Sequence, residues 1–447
     1  MIEPTDPRLS VIGTGYLGTT HAACMAELGF DVVGVDVDPV RISSLAAGET
    51  PFFEPGLEAL VRKNLESHRL RFTTSVADAA ATADVHFICV GTPQLPGANT
   101  ADMRHVDAAF TGLLRSGIRP GALIVGKSTV PVGTAMRLAR RLDSEAPGVE
   151  LAWNPEFLRE GFTIDDTLRP SRLVFGLRPE PAKAQRAEAL LRRVYATLIN
   201  AGVPVVITDY PTAELVKLAS NAFLATKISF INAMAEICEA TGGDVTAMST
   251  AMSYDSRIGG QFLHAGLGFG GGCLPKDIRA FQARADELGV GQALGFLAEV
   301  DAVNSRRRAR TVSLAIQLLG GMAAGKKIAV LGAAFKPNSD DIRDSPALDV
   351  AGALHRAGAV VTVYDPAAIP NCRAAHPQLT YADNAVLAAA GADILLHLTE
   401  WSEFRELDPT VLAPVVASRI VVDGRNALDP AAWRAAGWAY HALGRPA

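Results

Sequence analysis

The chain has 447 residues, too many for one ordinary core; at roughly 100–200 residues per domain it should form two to four domains. Hydrophobic residues make up 49% and charged residues 20%, which excludes a disordered chain. The net charge is −5 with no strongly basic block, which argues against nucleic acid as the main partner.

No apolar run reaches the length of a membrane span, so no membrane association is expected. Five cysteines, at 24, 89, 238, 273 and 372, are an odd number without metal-ligand spacing. They suit a reducing cytoplasm better than a disulfide framework, and they predict no metal site. The N-terminal stretch 1–9 is polar with two prolines, Pro4 and Pro7, and lacks the apolar segment of a signal peptide. The densest basic run, Arg306-Arg307-Arg308, reads as a solvated helix face.

The apolar run Leu9 to Ile12 predicts a strand that meets Gly13-Thr14-Gly15-Tyr16-Leu17-Gly18. A helical stretch follows to Leu28, closed by Gly29, and 31–36 predicts the next buried strand, ending at Asp36. Strand, GxGxxG, helix, strand and acidic residue form the complete dinucleotide fingerprint. Gly13 permits the tight turn, Gly15 admits the pyrophosphate to the helix N-terminus, and Gly18 lets helix and strand pack closely. Asp36 suits two ribose hydroxyls and repels a 2′-phosphate, so NAD is expected over NADP. Arg41 is placed against the adenosine end. Further strands at 85–90, 122–125 and 149–153 each run into a polar loop, where open α/β sheets bind ligands. Thr92 and Thr129 are thus candidates to face the nicotinamide. Cys89 reads as core. Glu156 and Glu160 share one face if their segment is a helical turn, either as an exposed acidic edge or as part of a site.

Strands at 172–176 and 203–208 close this domain, and Pro211 opens a helix over 212–240, ended by Gly242-Gly243. Its length suits a link between domains. Leu218, Phe223, Ile231, Ile237 and their neighbours make it apolar over much of its circumference, so burial partly against a second subunit is expected. Lys217 and Asn221 stand i, i+4 on this helix, and on spacing alone a surface pair is the simpler account. Cys238, on the same helix, reads as packing. Further helix to Tyr254 precedes a polar turn with Arg257, a candidate phosphate or sugar contact.

The run Gly266-Leu267-Gly268-Phe269-Gly270-Gly271-Gly272-Cys273-Leu274-Pro275-Lys276-Asp277 suits neither a regular helix nor a packed strand. It permits close backbone approach to something bulky and polar, with the Cys273 thiol at the edge as a candidate nucleophile. Helices over 278–288 and 294–310 follow. A second α/β layer domain is then predicted from a strand-to-loop start at 328–335 and strands at 361–366, 392–398 and 419–422. It lacks the later glycines of GxGxxG, so a second dinucleotide is not expected. Lys336, Arg343 and Arg425 lie in its loops, either as anion ligands or as ion-pair partners of local aspartates. Cys372 falls in a polar loop without evident role.

Together these segments resemble the UDP-glucose/GDP-mannose dehydrogenase family along nearly the whole chain. The carrying motifs are GTGYLG at 13–18, VGTP at 90–93, STVPVGT at 128–134, NPEFLREG at 154–161, ELVKLASNAFLATKISFIN at 214–232, GFGGGCLPKD at 268–277 and FKPNSDDIRDSP at 335–346. The resemblance implies an α/β fold with two Rossmann-like doubly wound domains joined by a long central helix and a helical dimerisation domain. The implied segments are an NAD-binding domain at 1–210, a central helical domain at 211–322 with the cysteine loop, and a sugar-nucleotide domain at 323–447.

It further implies a homodimer and NAD-dependent four-electron oxidation of UDP-glucose to UDP-glucuronate, with GDP-mannose or UDP-N-acetylmannosamine as alternative substrates. By similarity Cys273 forms a thiohemiacetal and then a thioester. Lys217 and Asn221 stabilise the oxyanion, Asp277 and Lys217 position or activate water, and Glu160 is the general base, with Thr129 and Glu156 beside it. The resemblance places Gly13, Gly15, Tyr16, Leu17, Gly18, Asp36, Arg41, Thr92, Thr129, Glu160, Lys276 and Arg343 on the cofactor. Glu156, Phe157, Leu158, Lys217, Asn221, Arg257, Phe262, Leu263, Gly266, Phe269, Gly270, Phe335, Lys336 and Arg425 fall on the sugar nucleotide. One departure stands out: many members have serine directly before the cysteine, where this chain has Gly272. A two-electron hydroxyacid dehydrogenase and a non-catalytic NAD-binding protein are the competing functions.

Overall fold

The computed structural model describes residues 6–446; the first five residues of the polar N-terminal stretch lie outside them. The chain divides into two compact units, Met1–Ser220 and Asn221–Ala447. Each is built on a mostly parallel sheet whose central strands read as short continuous apolar runs, as expected for strands buried on both faces.

In the first unit the strands are β1 (Leu9–Ile12), β2 (Val32–Val35), β3 (Leu70–Thr73), β4 (Val85–Ile88), β5 (Leu123–Gly126), β6 (Glu150–Trp153), β7 (Leu173–Leu177) and β8 (Val205–Asp209). Their order is β3-β2-β1-β4-β5-β6-β7-β8; the β6–β7 pair is antiparallel and β8 pairs parallel with β7, so β7 and β8 run against the other six strands. Strand order reverses at β1, where Leu9 pairs with Val32 on one side and Val85 on the other. Such a switch point opens a crevice at the carboxyl ends of the strands. Alternation along β1 sends Val11 into one core layer with Met25 and Phe87, and Ile12 into the other with Ile88 and Trp153. The edge strand β3 was not foreseen: of its four residues only Leu70 is buried, so no apolar run marks it.

The long helix Tyr210–Thr241 has 32 residues, about 48 Å at the usual rise. Asp209 accepts the Thr212 N–H at 2.8 Å and starts it; Gly242, at φ +78°, ends it. Leu218, Ala222, Ile231 and Cys238 are buried, whereas Phe223, Phe230 and Ile237 are exposed.

In the second unit the helix Leu274–Glu287 begins directly after Cys273, earlier than the expected 278, and the helix Phe296–Leu318 outruns the expected 310. The sheet comprises β9 (Lys327–Leu331), β10 (Val360–Tyr364), β11 (Thr380–Tyr381), β12 (Ile394–His397), β13 (Ile420–Asp423) and β14 (Ala439–Ala442), in the order β11-β10-β9-β12-β13-β14. The two edge strands, β11 and β14, are too short and too polar to have stood out in the sequence.

Two expectations are corrected here. Of Arg306-Arg307-Arg308 only Arg306 is solvated. Arg307 is fully buried and pairs with Glu239 at 2.7 Å, while Arg308 pairs with Asp344 at 2.9 Å and with Asp349. Cys372 is not in a polar loop but is buried on the helix Ile369–Ala375. Cys89 and Cys238 are buried, as read.

The second sheet repeats the opening of the first, with one difference. Gly13 N–H donates to Val35 O at 2.7 Å, and Gly332 N–H donates to Tyr364 O at 2.8 Å. The acid after the second strand of this sheet, Asp365, accepts Ala333 N–H, Ala334 N–H and the Trp401 indole N–H at 2.8, 3.0 and 3.1 Å. The indole therefore takes the acceptor that a ribose would use. Among the described residues no helix is long and apolar enough to cross a membrane.

Candidate active site

In the first unit the GTGYLG turn joins β1 to the helix Tyr16–Glu27, with Gly15 at its N-cap. A Cβ on Gly18 would lie 1.7 Å from Gly13 O, so only glycine fits there. A Cβ on Gly15 would meet nothing within 4 Å, which leaves open space over the helix N-terminus, where a pyrophosphate would sit. Asp36 directly follows β2 and is 8% exposed. Its Oδ2 accepts Thr14 N–H at 2.8 Å and the Arg41 guanidinium at 3.2 Å; its Oδ1 accepts Asp38 N–H at 3.1 Å and keeps acceptor capacity. Burial pushes this carboxyl up, but the N–H groups of Thr14 and Asp38 and the Arg41 charge hold it below the usual aspartate range. Val37 and Val40 beside it are exposed. Thr92 Oγ1 donates to Thr129 O at 2.7 Å, tying the loops after β4 and β5. These residues fit a dinucleotide.

The segment after β6 is not a helical turn, so Glu156 and Glu160 do not share a helical face. Asn154 N–H instead bonds Gly126 O at 2.8 Å, and the chain runs irregularly to the helix Thr163–Leu168. Glu156 is no exposed edge: Oε1 meets Lys217 Nζ at 2.9 Å, with side-chain exposures of 13% and 5%. Its Oε2 accepts Leu158 N–H at 2.6 Å. The Arg172 guanidinium lies 3.7 Å from the Phe157 ring centre. Lys127 was also missed. It is buried and donates to Asn154 Oδ1 at 3.0 Å, which Tyr195 OH also reaches at 2.6 Å. Burial holds the Lys127 ammonium below the usual lysine range.

In the second unit Asn221, 8% exposed, donates to Asp277 Oδ2 at 2.7 Å, and Lys276 Nζ holds Asp277 Oδ1 at 2.6 Å. Lys217 and Asn221 are thus both buried, one turn apart, each on its own carboxylate; the surface-pair account is excluded. Asp277 N–H donates to Cys273 O at 2.9 Å in the first turn of the Leu274–Glu287 helix. Cys273 is the N-cap of that helix, where the aligned peptide dipoles favour negative charge. It is the exposed thiol; the other four cysteines are buried.

The glycine run packs mainly against its own chain. Gly266 to Gly271 are buried. A Cβ on Gly270 would lie 2.2 Å from Asp344 O. Asn304 clamps Phe269, accepting its N–H at 2.7 Å and donating to its carbonyl at 2.9 Å. The loop surfaces only at Gly272 and Cys273. Above Gly272 lies Arg343, whose guanidinium carbon would be 2.4 Å from a Cβ there, and whose charge is held by Asp341 at 2.6 Å.

Arg425 serves the loop rather than offering a free guanidinium. It donates to Leu398 O at 2.8 Å, Gly268 O at 2.9 Å and Phe335 O at 3.2 Å, and pairs with Glu400 at 3.2 Å. Lys336 Nζ lies 5.5 Å from the Phe335 ring centre. Leu263 is buried, and Phe262 takes a left-handed φ of +63°. Arg257 stands on an exposed turn, bonded to Asp255 at 2.6 Å.

Three consecutive segments match the models of one family. Residues 7–199 match the NAD binding domain of the UDP-glucose/GDP-mannose dehydrogenase family, 211–306 its central domain and 329–430 its UDP binding domain. The chain belongs to the UDP-glucose/GDP-mannose dehydrogenase family. It is 42% identical over 441 residues to a UDP-glucose 6-dehydrogenase of Rhizobium meliloti, covering 98% of this chain and 100% of the relative. To a UDP-glucose 6-dehydrogenase of Pseudomonas aeruginosa it is 41% identical over 453 residues, covering 98% of each. The solved UDP-glucose dehydrogenase of Pyrobaculum islandicum matches with a TM-score of 0.89 and 38% identity, covering 100% of this chain and 99% of that one. Within the family's frame, the GTGYLG turn, Asp36 and the Thr92–Thr129 pair fall in the NAD binding domain. Cys273, Asp277 and Asn221 fall in the central domain, and Lys336, Arg343 and Arg425 in the UDP binding domain.

Proposed function

We propose that the chain oxidises C6 of UDP-glucose from alcohol to carboxylate, using NAD and passing through an acyl thioester on Cys273. The observation that carries this is the placement of Cys273: the exposed thiol, at a helix N-terminus, on a loop clamped by Asn304 and Arg425. The likeness to UDP-glucose 6-dehydrogenases over the whole chain supports the choice of substrate.

NAD, held on the Gly13–Gly18 turn and Asp36, supplies a two-electron acceptor in each of the two oxidations. Glu160 takes the proton from the C6 hydroxyl. The Cys273 thiolate then adds to the aldehyde carbon, and its C–S bond persists through the second oxidation. Lys217 and Asn221 offer hydrogen-bond donors to the oxygen that gains charge in that addition. Asp277 orients water for thioester hydrolysis. The water oxygen enters the carboxylate, and the thiol leaves as thiolate. Lys276 and Asn221 each hold one oxygen of Asp277, at 2.6 and 2.7 Å, and so fix the carboxylate for that task.

The three segments 1–210, 211–322 and 323–447 act as cofactor, central and sugar-nucleotide domains in this account. We assign Lys276 and Arg343 to the cofactor side. The sugar nucleotide takes Glu156, Phe157, Leu158, Phe262, Leu263, Gly266, Phe269, Gly270, Phe335 and Lys336, with Arg257 and Arg425 at its phosphates or through the loop. The exposed stripe Phe223, Phe230 and Ile237, at heptad spacing on the long helix, supports a homodimer. The reducing cytoplasm suits the thiol. NADH production with UDP-glucose, GDP-mannose and UDP-N-acetylmannosamine side by side tests the substrate. UDP-glucose is expected to give the highest kcat/KM, and a preference for either alternative overturns the choice.

A further inference from the structure

The turn that carries Glu160 is held from both sides by carboxylates. Phe162 N–H donates to Arg159 O at 2.9 Å, and Gly161 takes φ +81°, so Glu160 stands at the corner of a tight turn that needs glycine next. On one side Asp166 accepts Arg159 N–H at 2.8 Å and two bonds from the Arg159 guanidinium, at 2.9 and 2.7 Å. On the other side Glu54, 6% exposed, accepts Gly161 N–H on Oε2 at 2.7 Å and Thr163 N–H on Oε1 at 2.8 Å. The Glu54 loop is itself anchored, because Phe52 packs on Tyr16 with ring centres 4.1 Å apart.

The bland alternative is that Glu54 only caps the helix Thr163–Leu168. Capping requires the Thr163 N–H alone. The second bond, to Gly161, lies outside the helix and fixes the residue next to Glu160. A buried carboxylate is costly to desolvate, and a neutral serine or asparagine caps a helix as well. What a two-oxygen acceptor adds is a fixed distance between the Gly161 and Thr163 amides, hence a fixed direction for Glu160.

We propose that Glu54 is a positioning residue for the reaction, acting through Glu160. This rests on the assignment of Glu160 as the base that takes the C6 hydroxyl proton. Such a base must come within about 3 Å of that proton's oxygen, and a displacement near 1 Å costs on the order of a hundredfold in rate. Glu54→Gln keeps the size and turns one acceptor into a donor facing an N–H, so one of the two bonds is lost.

The test uses the full chain and four enzymes: wild type, Glu54→Gln, Glu160→Gln and the double variant. Their kcat, the KM values for NAD and UDP-glucose, the pH profile and the melting temperature are measured. Glu54→Gln is expected to lower kcat about ten- to a hundredfold. Both KM values should stay within about twofold, and the acidic limb of the pH profile should move. In the Glu160→Gln background the same substitution should cost less than about twofold, because its effect is already spent. Full multiplication of the two losses, or an unmoved acidic limb, makes Glu54 a structural cap and overturns the proposal. A Glu160→Gln enzyme at wild-type rate removes the base assignment itself, which is a different and separately visible failure. If Glu54→Gln does not fold, Asp166→Asn loosens the other side of the turn and should give the same coupling to Glu160→Gln; additivity there overturns the proposal equally.

Discussion

Asn221 donates its side-chain N–H to the Asp277 carboxylate at 2.7 Å, one helical turn beyond Cys273. The bond holds a buried acid where water must attack the thioester in the proposed reaction. Asp277→Asn keeps the shape and removes the charge. It should lower kcat about a hundredfold, as loss of the group that orients the attacking water does. The acyl-enzyme should then accumulate, visible by intact mass as Cys273 carrying the sugar nucleotide. A normal kcat with no added mass would assign Asp277 a purely structural part.

Gly272 and Arg343 form a second coupled pair. A Cβ at 272 would lie 2.4 Å from the Arg343 guanidinium carbon. Because the crowded atoms are the end of a flexible side chain, Gly272→Ser should leave stability within about 1 kcal/mol, by swinging Arg343 aside. If Arg343 serves the cofactor, the KM for NAD should rise several-fold while the KM for UDP-glucose changes little. An unchanged KM for NAD would remove Arg343 from the cofactor side.

Burial pushes the Asp423 carboxyl up, but His397 and the N–H groups of Leu428 and Arg425 outweigh it and hold it below the usual aspartate range. His397 Nδ1 lies 2.9 Å away, and Tyr440 OH donates at 2.9 Å. A depressed carboxyl stabilises the fold above its unfolded value, near 3.9, and that contribution is lost as pH falls through the folded value. Asp423→Asn should therefore destabilise by about 3 kcal/mol at pH 7. The difference from wild type should shrink as pH drops below about 4. Denaturant unfolding at pH 7 and pH 3.5 checks this; a difference independent of pH contradicts it.

The buried arginine gives an asymmetric expectation. Arg307 is fully buried with two guanidinium nitrogens unpartnered, whereas Glu239 also pairs with Arg310 at 2.7 Å. Arg307→Met leaves Glu239 neutralised and should cost less than about 1 kcal/mol; Glu239→Gln strands a buried charge and should cost about 3–5 kcal/mol. Equal melting losses for the two variants would contradict this.

The sheet cores were legible because strands buried on both faces leave continuous apolar runs, such as Leu9–Ile12 and Val85–Ile88. The edge strands β3 and β14 were not, since they bury too few residues to mark themselves, whereas the edge strand β8 was, because Val205, Val206 and Ile207 are apolar although they are not buried. The nucleotide turn was legible because its spacing is local. Glu54 and Asn304 were not, because their partners lie 107 and 35 residues away and only folding brings them together. Spacing also misled: Glu156 and Glu160 sit i, i+4 without a helix, and of the Arg306–Arg308 run only Arg306 stays exposed, while Arg307 and Arg308 turn inward to Glu239, Asp344 and Asp349.

The central claim is a four-electron oxidation carried across two steps by one thiol. The most direct test is the number of NADH formed per UDP-glucose consumed, with wild type and Cys273→Ala in parallel. Two NADH per sugar nucleotide, with UDP-glucuronate as product and no acid from Cys273→Ala, is the predicted result. One NADH per sugar nucleotide, or acid formed by Cys273→Ala at the wild-type rate, would contradict it.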